Sequence, residues 1–349
     1  MRPFFYIPLV SLLVTLVAMP WVRKAAIAAG IIDMPSARKV HATPIPLMGG
    51  VAIVLGSVLA VLFLYNGQPP RAAVGALAAG CIVAFIGLLD DRKALSARIR
   101  LGVQLLAVGV LIFAGVRVNL PFLPDAADFA LTAFWIVGLT NAINLMDNMD
   151  GLAAGTAGIA AFYLTLLAVI NEQYLVSGLS AALFGACLGF LYFNFPPASI
   201  FMGDSGAYFL GFWLSVLALQ LRFPVERSIA TWMVPIIILG LPIFDTTLVT
   251  VSRMRRGIHP FTAGKDHVSH RLTRLGFDKR SAVLVCYLVA CILGTLGILM
   301  PELQPLEAAI GLCVLGATGV WIGIRLESEK AMPTAQQTES PAKNLAEAI

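Results

Sequence analysis

Charge is scarce in this sequence: Asp, Glu, Lys and Arg make up 12% of its 349 residues, against 59% that are hydrophobic. A water-soluble domain cannot hide so much apolar surface, so a chain solvated by lipid is implied. Cysteine is equally sparse. Cys81, Cys187, Cys286, Cys291 and Cys313 are odd in number and all lie in apolar stretches, which argues against a disulfide framework or a zinc cluster. The apolar runs lack the strict alternation of a transmembrane barrel, and helices are the other way to satisfy every backbone group inside lipid. No internal repeat is visible, and no polar stretch between the runs is long enough to fold alone. Nothing points to a nucleic-acid partner.

What is present is a series of eleven apolar runs, each approaching the ~20 residues that a membrane helix needs. They cover 4–20, 47–65, 72–89, 101–115, 129–143, 152–170, 175–193, 207–221, 231–249, 282–300 and 306–324. The expected fold is therefore all-α and polytopic, with about eleven transmembrane helices. Residues 1–325 are read as one membrane domain and 326–349 as a polar, disordered cytoplasmic tail. The first run follows a single basic residue, Arg2, lacks a small-x-small cleavage site and reads as a retained helix. Residues 116–120 alternate and predict a small strand before Pro121. Lys and Arg set the orientation. With the N-terminus outside and the C-terminus cytoplasmic, nineteen of them fall on the inner side and five on the outer.

The acids are distributed unevenly. Asp90 and Asp91 close the third run, Asn141, Asn144, Asp147 and Asp150 lie where the fifth ends and the sixth begins, Asp204 precedes the eighth, and Asp245 lies near the inner end of the ninth. All fall on the expected inner side. A charge at the centre of a membrane helix costs ~2.5–3.5 kcal/mol on insertion scales, so acids in and beside spans are functional candidates. Taken singly, Asp147 and Asp150 also read as caps of the sixth helix. Taken as a set beside a basic histidine loop, carboxylates and an amide are what magnesium-dependent phosphoryl chemistry uses. Phe201-Met202-Gly203-Asp204-Ser205-Gly206 is a small-residue turn into a helix, where a phosphate or nucleotide can approach the backbone. His267 and His270 share a face on a helical turn and are followed by Arg271. Zinc has no third ligand there, and phosphate clamping is preferred because of the neighbouring acids.

Together these motifs resemble the polyprenyl-phosphate N-acetylhexosamine-1-phosphate transferases, relatives of the phospho-N-acetylmuramoyl-pentapeptide transferase. The resemblance runs from Asp33 to about Gly276 and rests on five segments in order. These are Asp33-x-Pro35-x-x-Arg38-Lys39-x-His41 with Gly49-Gly50, then Asp90-Asp91, the 141–152 segment, the 201–206 turn, and His267 with His270-Arg271-Leu272. Pro242-Ile243-Phe244-Asp245 and the His-Arg-Leu ending look more like the N-acetylglucosamine branch. The family implies that the phosphate of undecaprenyl phosphate attacks the β-phosphorus of a UDP-N-acetylhexosamine, releasing UMP at the cytoplasmic face of the bacterial inner membrane and starting cell-envelope glycan synthesis. By the same resemblance, Asp204 and Asn144 bind Mg²⁺, with Mn²⁺ as the alternative ion, and Asp90 and Asp91 face the attacking lipid phosphate as catalytic residues. Asp147, Asp150 and Phe201 hold the uridine, His267, His270 and Arg271 contact the diphosphate or sugar, and Arg100 and Lys39 are further substrate contacts. A homodimer is carried as the expected assembly.

Three positions depart from the family pattern. Its His-x-His-His-Arg run appears here as His267-Val268-Ser269-His270-Arg271, Arg100 stands where a lysine is usual, and Asn148 replaces a common glycine. Arg and Lys are not equivalent phosphate binders. A phosphate monoester has a second pKa of ~6, so the acceptor is already mostly dianionic at neutral pH, and Asp90 acts either as a base or by positioning. Asp90→Asn is expected to lower turnover in both cases. Two other readings stand beside the enzyme. A secondary transporter would place its binding groups near the bilayer midplane between repeated halves, and a non-catalytic polyprenyl-phosphate-binding relative is raised by Ser269.

Overall fold

Backbone groups inside lipid must bond to one another, and the apolar runs do so as helices. The structure, a computed structural model, describes residues 6–34, 44–120, 123–223, 229–260, 262 and 264–328. Thirteen α-helices lie among the described residues. They are α1 Tyr6–Ala28, α2 Gly49–Leu64, α3 Arg71–Arg92, α4 Ala97–Phe113, α5 Asp125–Met146, α6 Leu152–Ile170 and α7 Tyr174–Asn194, followed by α8 Gly203–Gln220, α9 Ile229–Ile238, α10 Gly240–Arg255, α11 Val268–Arg274, α12 Lys279–Leu299 and α13 Pro305–Ser328. Every apolar run overlaps one of these helices. By length and composition seven are able to cross a membrane, or eight if α9 and α10 count as one broken span. The chain is thus an all-α polytopic membrane protein. Of the other apolar helices, α2 and α4 have 16 and 17 residues, and α8 carries Asp204 in its first turn.

The ninth run differs from expectation. The single span expected over 231–249 is two helices, α9 and α10, bent by 74°. The bend puts Pro242 in the first turn of α10, where its missing N–H has no intrahelical partner to lose; in an unbroken helix it would remove a bond and clash with the preceding turn. The strand expected at 116–120 does not form. Two of its N–H groups go to side chains of α5: Val118 donates to Thr132 Oγ1 at 2.9 Å and Leu120 to Asp128 Oδ1 at 3.3 Å. A two-residue antiparallel pair joins Ile32–Asp33 (β1) to Ile45–Pro46 (β2). The 35–43 segment between these strands and the tail beyond Ser328 lie outside the described residues.

α8 is the hub, packed against α3 and α5 with Tyr208, Phe209, Phe212 and Trp213 fully buried. α13 is the opposite case. Ala308 is its one buried residue, Leu312 and Leu315 are half-buried against the core, and most of the remaining surface is open. All five cysteines are free thiols.

Candidate active site

The site forms where α3 and α5 end and α8 begins. Gly87 makes the first junction possible, because a Cβ there would overlap the carbonyl oxygen of Asp204 and the nitrogen of Ser205. With α3 so close, Asp91 reaches the first turn of α8, whose own preceding residue, Met202, supplies no side-chain cap. Asp91 Oδ1 accepts the Asp204 N–H at 2.7 Å and its Oδ2 the Ser205 N–H at 3.3 Å. A carboxylate there satisfies orphan donors and complements the positive helix end. Asp90, buried beside it, accepts from the Leu95 N–H at 2.7 Å, from Arg100 at 3.1 Å and from the Tyr208 hydroxyl at 3.3 Å. Arg100 also donates to the Tyr208 oxygen at 3.3 Å, while 35% of its side chain stays open to solvent.

The second junction brings in α5. Asn144 donates to Asp204 Oδ1 at 2.7 Å, and one turn back Asn141 donates to the buried Gln104 of α4 at 2.9 Å. Asp147, the residue after α5, is pushed up to about 8 by burial first and then by the carboxylates of Asp204, Asp91 and Asp150. Neither Asp147 nor Asp150 caps α6. That place belongs to Gly151, in a left-handed conformation with no side-chain cap. Gly151 is held by Asn194 Oδ1 on its N–H at 2.8 Å and by the Tyr287 hydroxyl on its carbonyl at 2.6 Å, and Asp150 accepts from the Ala198 N–H at 3.0 Å. Phe201 is half-buried, its backbone stitched to Pro46 and Gly49 by bonds of 2.9 Å each.

α11 meets this cluster from the other side of the chain. Asp245 on α10 accepts the Val268 N–H at 2.6 Å and bonds His267 Nδ1 at 2.7 Å, both side chains being buried. Ser269 donates to Asn148 Oδ1 at 2.6 Å, so α11 is tied to the loop that carries Asp147 and Asp150. Burial, with His267, Lys265 and Arg274 adding positive charge and Asp245 opposing, pushes His270 down to about 4. Arg271 has other company. Its guanidinium is buried and donates to the Asp266 carbonyl, the Leu326 carbonyl, Glu327 and Ser252 at 2.7, 2.8, 2.9 and 3.1 Å. In this arrangement it ties α11 to α10 and α13. Lys39 lies outside the described residues.

Among the described residues no three or more His, Cys, Asp or Glu side chains converge to cage a metal alone. The Asp204 and Asn144 pair fits a different mode, in which a hard divalent ion takes one or two protein oxygens and completes its shell with substrate phosphates and water. Sequence reading left several partners out. Tyr208 was discoverable, since it lies one turn from Asp204 on the same face of α8. Gly87, Asn194 and Tyr287 act through distant backbone, and no local pattern marks them.

Residues 73–222 match the glycosyl transferase family 4 profile, a stretch that runs from α3 through α8 and includes Asp90, Asp91, Asn144 and Asp204. A probable undecaprenyl-phosphate N-acetylglucosaminyl 1-phosphate transferase of Bacillus subtilis is 39% identical, with 81% of each chain covered. A decaprenyl-phosphate N-acetylglucosaminephosphotransferase of Mycolicibacterium smegmatis is 32% identical over 82% of this chain and 80% of its own. An undecaprenyl-phosphate alpha-N-acetylglucosaminyl 1-phosphate transferase of Escherichia coli K12 is 28% identical over 79% and 78%.

Proposed function

This chain belongs to glycosyl transferase family 4, and from that premise we propose that it transfers N-acetylglucosamine 1-phosphate onto a polyprenyl phosphate in the membrane. The donor is a UDP-N-acetylhexosamine, the acceptor undecaprenyl phosphate, and the products are UMP and a lipid-linked sugar diphosphate that starts a cell-envelope glycan. One observation carries the reading. Asp204 is bonded at 2.7 Å both to Asn144 and, through its N–H, to Asp91, so three separate motifs meet at one point. A transporter built on repeated halves does not account for that convergence.

Asp204 and Asn144 would hold Mg²⁺, or Mn²⁺ in its place, which supplies positive charge against the diphosphate when bound. Arg100, oriented by Asp90 and Tyr208, meets the acceptor phosphate. That phosphate is mostly dianionic at neutral pH, with a second pKa of ~6, so it needs no base. Asp90 therefore acts by holding Arg100 and the turn after α3. Asp147, Asp150 and Phe201 receive the uridine, and His267, fixed through Nδ1, turns its remaining ring nitrogen to the diphosphate or sugar. Residues 1–325 work as one domain of about eleven crossings in the bacterial inner membrane, N-terminus outside and site cytoplasmic. The nineteen-to-five partition of basic residues supports that sidedness.

Purified protein given radiolabelled UDP-N-acetylglucosamine and undecaprenyl phosphate is expected to release UMP, move the label into the lipid phase and stop in EDTA. Binding of the lipid without UMP release would overturn the enzyme reading in favour of a non-catalytic relative.

A further inference from the structure

α11 is seven residues long, too short to hold itself in place through its own hydrogen bonds, yet it carries His270 and follows directly on His267. Side-chain ties must hold it. Two of them run to Asp245 and to Asn148. The rest form a network of ions where α10 and α13 end. Asp266, next to His267, takes Arg253 through both of its oxygens at 2.9 and 2.6 Å and Arg256 at 3.2 Å. Two of the four bonds given by the Arg271 guanidinium go to the last turn of α13, at the Leu326 carbonyl and at Glu327 Oε2. The other oxygen of Glu327 accepts from Ser252 of α10 at 2.9 Å. Ser252 Oγ in turn accepts from Arg256 at 2.8 Å and from Arg271 at 3.1 Å.

Ser252, Arg253, Asp266 and Arg271 are all buried. Three guanidinium groups face two carboxylates there, so neither acid is spare: a buried charge left without its partner is strongly unfavourable. Packing along α13 is slight, with Ala308 its one buried residue, and its ties to the rest of the network gather in its last turn. Crossing lipid asks only for apolar length. A carboxylate aimed at a buried guanidinium does something more. We propose that Glu327 is a positioning residue for the transfer: by holding Arg271 it fixes α11, and with it the rings of His267 and His270, toward the diphosphate of the UDP-sugar. The proposal rests on the reaction given above. Glu327 touches no substrate in it and acts through Arg271 alone.

The test measures steady-state UMP release by the unmodified protein, by Glu327→Ala and by Glu307→Ala, a change at the opposite, exposed end of α13. Glu327→Ala is expected to raise KM for UDP-N-acetylglucosamine about tenfold, the equivalent of one hydrogen bond to a charged group. KM for undecaprenyl phosphate should stay within twofold, because Arg100, which meets the acceptor, belongs to α4. Loss of folded protein alone would lower the rate and leave both KM values, so the split separates positioning from stability. Glu307→Ala should match the unmodified protein. A KM for the UDP-sugar within twofold overturns the proposal, and so does a lower one, which would mean that Glu327 keeps Arg271 away from the substrate. Because Glu327→Ala could fail to fold, Ser252→Ala, which removes a hydroxyl shared by Glu327 and Arg271, is measured beside it. It should raise the same KM about threefold, and an unshifted KM there also overturns the proposal. Amide hydrogen exchange supplies a readout without turnover: in Glu327→Ala the 268–274 amides should exchange about tenfold faster while those of 152–170 do not change. Equal exchange in 268–274 overturns the proposal. A protein whose α11 loosens as expected but which releases no UMP sinks the reaction and keeps the tie. An active protein with unchanged exchange and unchanged KM does the reverse.

Discussion

The Ser269 hydroxyl donates to the Asn148 side-chain oxygen at 2.6 Å, and the Asn148 amide in turn donates to the Leu145 carbonyl at 3.0 Å. These are two of the three positions at which the chain departs from the pattern it otherwise resembles. The bond joins two of the departures directly and binds α11 to the loop carrying Asp147 and Asp150.

Removing either side of that bridge should therefore cost the same thing. Ser269→Ala and Asn148→Ala are each expected to lower kcat/KM for the UDP-sugar by about fivefold, the equivalent of one net hydrogen bond of ~1 kcal/mol. The double variant should lose little more than either single one, because the two groups act as a unit. Additive losses in a double-mutant cycle would show that they act separately.

Asn144 is expected to act on the ion rather than on the acceptor. Asn144→Ala removes one of the two oxygens assigned to Mg²⁺ and should raise the Mg²⁺ concentration for half-maximal activity by roughly 10–100-fold, the range found for groups that support a metal site. The KM for undecaprenyl phosphate should not change. Activity that falls at every Mg²⁺ concentration with an unshifted midpoint would take Asn144 off the ion.

His270 gives a pH prediction. Its imidazole is pushed down to about 4 from an ordinary 6.5, so the folded protein holds fewer protons there than the unfolded chain between those values. Its contribution to stability is full above about pH 6.5 and is lost as pH falls toward 4. In the free enzyme His270 is neutral at working pH and offers a substrate one N–H but no charge. Because kcat/KM reports ionisations of the free enzyme, wild type and His270→Gln should give profiles of the same shape between about pH 5.5 and 8. An acid limb near pH 6.5 that vanishes in His270→Gln would restore the cationic clamp.

How much of this was legible in the sequence depends on what wrote each feature. Lipid sets the length and apolarity of a helix residue by residue, so the runs could be read directly. The bend between α9 and α10 could not, because a run of hydropathy averages over Gly240 and Pro242. The acids and Asn144 could be read as a set, since Asp90, Asp91, Asn144 and Asp204 stand at or beside the ends of apolar runs. Their contacts could not: Asp91 is 113 residues from the N–H of Asp204 it accepts, and Ser269 is 121 residues from Asn148. Arg271 was read toward a diphosphate or sugar from its motif; the protein partners it has, Leu326 and Glu327 at the end of α13, are marked by no motif.

Gly87 is the strictest test of the assembled site, because it carries no functional group. A methyl at 87 would collide with the carbonyl oxygen of Asp204 and the nitrogen of Ser205, and neither backbone atom can swing aside as a side chain would. α3 and α8 must then separate, and Asp91 loses its grip on the two N–H groups at the start of α8. Elsewhere in a helix the same change is favourable by ~0.5–1 kcal/mol. Gly87→Ala is therefore expected to abolish UMP release, while the control Gly109→Ala, at an α4 glycine with open space around it, stays active. Circular dichroism should find both variants equally helical, since the damage is a displacement between helices and not a loss of one. An active Gly87→Ala enzyme would mean that Asp91 and Asp204 do not need to be this close for transfer.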